Sequence, residues 1–142
     1  RSRPGVSVIG WLLDTNAVIA LTTRRSETLL RRVEATEPGA LAVSAIVAHE
    51  LYFGAYKSHK VDFNLETLRL LFTDIAILDL DREDARAAGE IRADMKRQGT
   101  PIGPYDVLIA GQALARGLPL VTNNTAEFGR IAGLRLEDWT KT

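Results

Sequence analysis

Three acidic residues stand where their sequence neighbours are apolar. Asp14 directly follows the apolar run 8–13, Glu50 falls in the apolar stripe of a predicted helix, and Asp106 points inward from the first turn of another. A buried carboxylate without a partner is costly, so each of them needs a cation or hydrogen-bond donors. Their residue types and positions therefore indicate a catalytic or ligand-binding site.

Taken singly, these carboxylates have ordinary structural explanations. Asp14 is a good helix N-cap, and Asp106 in a first helical turn complements the helix dipole. Taken together, with no inward Lys or Arg in the same segments, they would repel one another unless a hard divalent cation neutralised them. Oxygen ligands suit Mg²⁺ or Mn²⁺, and a carboxylate-held Mg²⁺ commonly binds phosphate oxygens. Hydrolysis of a phosphodiester by a metal-activated water is the reaction this set would serve best.

Apolar runs that alternate with amphipathic segments must position these side chains. The predicted strands lie in residues 8–13, 41–43, 75–80, 118–121 and 134–136, and the predicted helices in 17–21, 27–36, 44–58, 65–72, 82–98 and 104–115. This alternation predicts an α/β fold with a parallel sheet and helices on both faces. Ligands of such sheets bind beyond the carboxyl ends of the strands, where Asp14 and the polar cluster 122–125 both fall.

The remaining acidic residues mostly fit a solvated surface. Four of them lie on polar helix faces and are predicted to be exposed charges: Glu66, Asp84, Glu90 and Asp94. The two histidines give little indication of chemistry, because His49 is predicted to point away from the face that carries Glu50.

Composition narrows the class of protein. The chain has 142 residues, 46% of them hydrophobic, a formal net charge of zero and no cysteine. These values predict one globular domain over residues 1–142, with no functional role given to residues 1–5. The lack of cysteine excludes a disulfide framework and a thiolate zinc site. The apolar run after Val6 is broken by Asp14 and fits neither a secretory signal nor a membrane span, so cytoplasmic residence is expected.

Four motifs follow one another along almost the whole chain. They are LLDTN at 12–16, SAIVAHELYFGA at 44–55, IGPYDVLIAGQALARG at 102–117 and LVTNNTAEF at 120–128, followed by GLRLEDW at 133–139. In this order they resemble a PIN-domain ribonuclease, and within that family a VapC-type toxin of a bacterial toxin–antitoxin pair. The ordered set is far more specific than the Asp-Thr-Asn triplet alone.

The resemblance implies a three-layer α/β/α fold with a short parallel sheet of about five strands. It implies that Asp14, Glu50 and Asp106 are catalytic carboxylates that bind Mg²⁺, or alternatively Mn²⁺. Asn124 stands where the family has a fourth acid, which favours a single metal ion. The other groups expected in the pocket are Thr15, Asn16, Thr122 and Glu127, the last of which could replace the missing acid through a water.

The resemblance also implies a substrate and partners. The expected activity is that of an endoribonuclease that cuts tRNA, with the anticodon stem-loop of initiator tRNA as the favoured site, leaving 3′-hydroxyl and 5′-phosphate ends. The expected partners are a second copy of the chain and a VapB-type antitoxin that covers the acidic pocket and alone contacts operator DNA. An apolar face formed by Leu65, Leu68, Leu71 and Phe72, extended by Tyr52, Phe53 and Tyr56, would suit such a partner.

Contact with RNA requires cations near the acidic pocket, because phosphates dominate nucleic-acid affinity. The candidate cations are Arg24, Arg25, Arg31, Arg32, Lys57, Lys60, Arg92, Lys96 and Arg97. With the pocket acids offset by a bound metal, the surface left to meet RNA would be net basic despite the neutral total.

Two other functions remain open at the level of sequence. One is a phosphatase with Asp14 as nucleophile, although Asn16 occupies the place where that chemistry usually has a second acid. The other is a PIN-like RNA-binding or protein-binding module that has lost catalysis, which the asparagine at position 124 makes conceivable.

Overall fold

A five-stranded parallel sheet forms the centre of the computed structural model, which describes residues 8–37 and 39–142. Its strands are β1 (Trp11–Leu13), β2 (Leu41–Ser44), β3 (Ala76–Leu78), β4 (Leu120–Val121) and β5 (Leu136–Glu137). They are arranged in the order β3-β2-β1-β4-β5, and every neighbouring pair is parallel. The predicted α/β class and the number of strands are confirmed. The run considered as a targeting signal begins at Val6, outside the described residues.

Seven helices accompany the sheet. They are α1 (Thr15–Thr22), α2 (Glu27–Glu34), α3 (Ala45–Tyr56), α4 (Val61–Asp74), α5 (Arg82–Arg97), α6 (Pro104–Arg116) and α7 (Thr125–Phe128) in the described part of the chain. Six match the predicted helices, whereas the short α7 was not predicted. The turn predicted to end α2 includes Pro38, which is outside the described residues. Within those residues, no helix is both long and apolar enough to cross a membrane.

The middle strands consist of continuous apolar sequence, as expected for strands that are covered by helices on both faces. The side chains of Leu12 and Leu13 in β1 and of Ala42 and Val43 in β2 are fully buried. Because β1 lies between β2 and β4, the residue that follows it is delivered to the centre of the sheet's carboxyl edge. That residue is Asp14.

Helices α5 and α6 approach closely at Gly111. A Cβ atom built there would lie 2.5 Å from the backbone nitrogen of Ala88, which no side chain could tolerate without a shift of the backbone. Glycine at this crossing therefore allows α6 to lie against α5.

The prediction for Asp84 is wrong. Its side chain is 1% exposed and accepts hydrogen bonds from Arg116 Nη2 and Gln112 Nε2, both at 3.0 Å. It also completes a capping box with Asp81 at the start of α5. The close packing of α5 on α6 buries this carboxylate against a cation 32 residues further along the chain. Of the other three acids, Glu66 and Glu90 are exposed as predicted and Asp94 is half-buried.

Candidate active site

Asp14 is the most buried of the acids at the carboxyl edge, with 3% of its surface exposed. Its Oδ1 accepts a hydrogen bond of 2.8 Å from the backbone nitrogen of Ala17, so it caps α1. The Thr122 hydroxyl also bonds to its carboxylate and itself accepts a bond of 2.9 Å from the backbone nitrogen of Asn124. Burial raises the pKa of Asp14 above its ordinary value, an effect that these two donors oppose and that Glu50 and Asp138 reinforce.

Glu50 reaches the same region from α3. Its Oε1 accepts a hydrogen bond of 2.7 Å from the hydroxyl of Thr15, the residue after Asp14. The side chain is half-buried and borders an open groove between α1, α3 and α4. The predicted apolar surroundings are thus present on one side, and Thr15 supplies a donor for the carboxylate.

Asp106 lies in the first turn of α6, where Pro104 begins the helix. Burial raises the pKa of Asp106 to about 6, and a hydrogen-bonding contact with Glu127 and the charges of Glu127, Asp14 and Glu50 add to that rise. Glu127 comes from α7, the helix that was not predicted. The structure therefore brings a fourth carboxylate beside Asp106, although position 124 itself holds an asparagine.

These acids form one electrostatic group, because each of Asp14 and Asp106 has its pKa raised by the charge of Glu50. An all-oxygen set of mutually repelling carboxylates is the kind of donor set that hard divalent cations prefer. In residues 8–37 and 39–142, no three acid or histidine side chains already lie close enough to enclose an ion. The set fits a divalent cation in the chemistry of its donor atoms.

Asp138 is a residue that sequence reasoning missed. It directly follows β5, and its charge contributes to the raised pKa of Asp14. It borders a small cavity of about 10 Å³ together with Asn16, Thr122 and Asn123. The rule that directed attention to Asp14, that polar residues after parallel strands meet at one edge, would have found it if applied to the last strand.

Comparison with known proteins identifies the family. A model of the PIN domain matches residues 11–134. The chain belongs to the PIN domain family. A relative named tRNA(fMet)-specific endonuclease VapC, from Shigella flexneri, is 40% identical over 133 residues, which are 94% of this chain and 100% of the relative. The chain is therefore a VapC-type PIN domain, as its motifs indicated.

Solved structures agree with this assignment. The structure described as DNA-bound VapBC from Salmonella typhimurium matches with a TM-score of 0.88 and 40% identity, covering 93% of this chain and 99% of that one. VapBC2 from Rickettsia felis, bound to a DNA fragment from its promoter, matches with a TM-score of 0.85 and 33% identity, covering 92% of this chain and 99% of that one.

Since the relatives of this PIN domain are named as endonucleases or ribonucleases, RNA cleavage is the activity of its family and the phosphatase alternative is not supported. PIN nucleases as a class depend on divalent metals.

The candidate cations of this PIN domain fall into three groups. Several already contact protein groups: Arg31 pairs with Glu27, Arg32 with Glu137, Arg97 with Asp94, and Lys57 lies 4.9 Å from the ring centre of Phe53. Arg24, Arg25 and Lys60 are exposed beyond the ends of α1 and α3. Arg92 and Lys96 instead line a groove of about 520 Å³ whose other wall includes Pro104, two residues from Asp106.

The apolar face predicted for a partner is divided between core and surface. Leu68 is buried in the core, and Leu65, Leu71 and Phe72 pack partly against it. Tyr52, Phe53 and Tyr56 are exposed, by 38%, 59% and 64%. The aromatic residues of α3 are therefore the most exposed part of the predicted face, because α4 packs Leu65, Leu68 and Leu71 on the rest of the domain.

Replacing Asp106 by Asn is expected to stabilise the metal-free PIN domain at pH 7.5 by about 1 kcal/mol. Since the folded-state pKa of about 6 exceeds the ordinary 3.8, the stability linked to protonated Asp106 is complete below pH 3.8 and lost as the pH rises through 6. The advantage of Asp106→Asn should therefore shrink as the pH is lowered to 4. Urea unfolding in chelator at both pH values measures it. Glu90→Gln, which neutralises an exposed acid on α5, serves as the control, and an equal gain from both variants would contradict the coupling at Asp106.

Proposed function

We propose that this PIN domain is a Mg²⁺-dependent endoribonuclease and the toxin of a type II toxin–antitoxin system, with Asp14, Glu50 and Asp106 as its metal-binding catalytic carboxylates. The observation that carries the proposal is that three separate elements place these acids at one edge of the sheet: Asp14 follows β1, Glu50 accepts a bond from the residue after it, and Asp106 lies in the first turn of α6. Their mutual repulsion, which raises the pKa of Asp14 and Asp106, supports it. Mn²⁺ is the alternative ion, since it prefers the same oxygen ligands.

The chain's own residues have distinct parts in this proposal. Asp14 is held by the Ala17 amide and the Thr122 hydroxyl, and Glu50 by the Thr15 hydroxyl, so both carboxylates have fixed orientations. A bound divalent ion would supply an activated water and offset the charge that develops on the phosphate. Glu127 lies beside Asp106, where it can take the place that the family gives to the acid at position 124. Asn124 and Asn16 would act as neutral pocket groups, which favours a single metal ion.

We propose tRNA as the substrate class, and the anticodon stem-loop of initiator tRNA as the site. The support is the 40% identity to relatives from Shigella flexneri and Salmonella typhimurium that are named tRNA(fMet)-specific endonucleases. The motifs PIGPYD at 101–106 and TNNTAEF at 122–128 resemble that subgroup. The place of action would be the cytoplasm, where tRNA is found.

The proposed partners are a VapB-type antitoxin and a second copy of the chain. A mainly apolar groove of about 360 Å³ between α1, α3 and α4 includes Glu50 in its wall, so a peptide in this groove would cover part of the acidic site. The similarity to structures of VapBC complexes bound to DNA supports an antitoxin that contacts the operator.

The test is incubation of the purified chain, free of antitoxin, with total tRNA in Mg²⁺, in Mn²⁺ and in chelator. We expect cleavage with either metal, none in chelator, and products with 3′-hydroxyl and 5′-phosphate ends. Products with 2′,3′-cyclic phosphate ends would exclude the metal-water mechanism. Binding of tRNA by the wild type without cleavage in either metal would favour the catalytically impaired binding module instead.

Replacing Arg92 and Lys96 together by Ala is expected to weaken RNA binding several-fold and to lower the slope of log K against log salt by about 1 per cation. These cations line the groove beside α6 and form no ion pair within residues 8–37 and 39–142. Fluorescence-anisotropy titrations at several salt concentrations measure the slope. Arg97→Ala is the matched control, because Arg97 lies on the same helix but is paired with Asp94. If Arg97→Ala lowered the slope by as much per cation, the cations of the groove would contribute no more to RNA binding than other surface cations.

A further inference from the structure

An exposed aromatic pair joins α3 to α6. The rings of His49 and Tyr105 have centres 5.6 Å apart and planes at 77°, which is an edge-to-face arrangement. The Tyr105 hydroxyl lies 3.5 Å from His49 Nε2, at the limit of a hydrogen bond. Tyr105 is 45% exposed, and His49 is exposed as well. Neither aromatic side chain is used by the core.

The pair adjoins the acidic site on both of its helices. His49 directly precedes Glu50 in α3, and Tyr105 directly precedes Asp106 in α6. Because consecutive Cα atoms are about 3.8 Å apart, both rings start within one residue of a carboxylate proposed to bind the metal. Pro104, which precedes Tyr105, is part of the wall of the groove that Arg92 and Lys96 line. Tyr105 therefore lies in the chain between a residue of this groove and a carboxylate of the acidic site.

The edge-to-face arrangement leaves aromatic surface unused. One ring directs its edge at the face of the other, so the two rings do not stack on each other, and both side chains keep surface exposed to solvent. Bases of single-stranded RNA, in loops and bulges, are recognised by stacking on Tyr, His and other flat side chains. An exposed, unstacked aromatic face beside a site for phosphodiester hydrolysis suits such a base.

We propose that Tyr105, supported by His49, is a stacking subsite for the nucleobase next to the cleaved phosphodiester. The inference rests on the proposed ribonuclease function and extends it by assigning residues that hold the substrate's base. Stacking does not require a specific hydrogen-bond pattern, so this subsite selects for an unstacked nucleotide rather than for one base. It thereby favours loops over paired stems.

The test compares Tyr105→Ala, Tyr105→Phe and His49→Ala in cleavage of a tRNA anticodon stem-loop. Tyr105→Ala should raise KM about tenfold with kcat changed less than about threefold, whereas Tyr105→Phe, which keeps the ring, should stay within about twofold of wild type. His49→Ala should give a smaller rise in KM than Tyr105→Ala. Phe63→Ala, which removes a 68% exposed aromatic side chain from α4, is the matched control and should leave KM unchanged. Thermal unfolding of each variant shows whether the fold is kept.

A set of abasic substrates identifies the stacked nucleotide directly. Removing the base at one position beside the cut should raise KM of the wild type about as much as Tyr105→Ala does, and should have no further effect on that variant. Additive effects at every position would overturn the subsite. The subsite would also be overturned if Tyr105→Phe raised KM as much as Tyr105→Ala, or if KM rose only in variants whose melting temperature is lowered. It would likewise be overturned if the Tyr105 variants cleaved RNA normally and differed from the wild type only in inhibition by the antitoxin.

Failure of the proposed function would give a different result. The same stem-loops are titrated onto Asp14→Asn, with and without Tyr105→Ala, in Mg²⁺, so that binding is measured without cleavage. Absence of cleavage by the wild type together with base-dependent binding through Tyr105 would reject the nuclease and keep the subsite. Cleavage by the wild type without coupling between Tyr105 and any base would reject the subsite and keep the nuclease.

Discussion

Asp14→Asn is expected to lower the rate of RNA cleavage about 10³-fold while leaving the fold intact. Removing a charged ligand from a catalytic metal site costs several kcal/mol of transition-state stabilisation, and about 4 kcal/mol corresponds to that factor. Asparagine keeps the oxygen that accepts the bond of 2.8 Å from Ala17, so the cap of α1 survives. Single-turnover cleavage of the tRNA substrate in Mg²⁺ measures the rate, and circular dichroism and thermal unfolding check the fold.

A matched pair of controls separates catalysis from structure in this experiment. Asp62→Asn changes an exposed acid in the first turn of α4 and should leave the rate within about twofold of wild type. Asp14→Ala removes the capping oxygen as well as the charge, so it should also lose about 1 kcal/mol of stability. If Asp14→Asn cleaved RNA at a rate near that of the wild type, Asp14 would be a helix cap and no more.

The position of Asp14 could be predicted because it depends on local sequence and on a general property of parallel sheets. The apolar run before it predicts a buried strand, and the carboxyl ends of neighbouring parallel strands lie at the same edge of a sheet. The same reasoning placed Thr122 after β4, and its hydroxyl contacts Asp14. Patterns of this kind predict which edge of the sheet carries the site.

Glu127 was harder to place, because the element that carries it is too short to have a periodic pattern. Helix α7 contains four residues, and its N-cap Asn124 forms no side-chain capping bond. Neither the spacing of apolar residues nor a cap therefore signals the helix. The contact of Glu127 with Asp106 follows from how α7 packs against the start of α6, which is a property of the tertiary structure.

The burial of Asp84 likewise could not be predicted from the sequence, because it depends on contacts between distant residues. On its own helix it follows a charged residue, and helical periodicity places it on a polar face. Its partners Gln112 and Arg116 lie 28 and 32 residues away, and they reach it only because Gly111 lets α6 approach Ala88. A helical pattern cannot distinguish a polar face turned to water from one turned to an arginine on a neighbouring helix.

Asp84→Ala is accordingly expected to destabilise the protein by about 2 kcal/mol at pH 7, since it removes the buried acceptor of the bonds from Arg116 and Gln112. Burial opposes the charge of Asp84, but the bonds from Arg116, the Asp81 backbone and Gln112 outweigh it and lower the pKa of Asp84. The stability it provides should therefore be present above its ordinary value of 3.8 and decline as the pH falls below that. Urea unfolding measures the loss.

Asp94→Ala is the comparison, because it breaks the partly exposed pair with Arg97 on the same helix and should cost less than about 1 kcal/mol. Equal losses of unfolding free energy in the two variants would mean that the bonds of the buried Asp84 contribute no more stability than the partly exposed pair of Asp94 and Arg97. The double variant Asp84→Leu with Arg116→Met should recover part of the loss, since it removes the unpaired charge and retains the packing of α5 on α6. Recovery would show that the loss of stability in Asp84→Ala comes from the donors of Arg116 that are left without this acceptor.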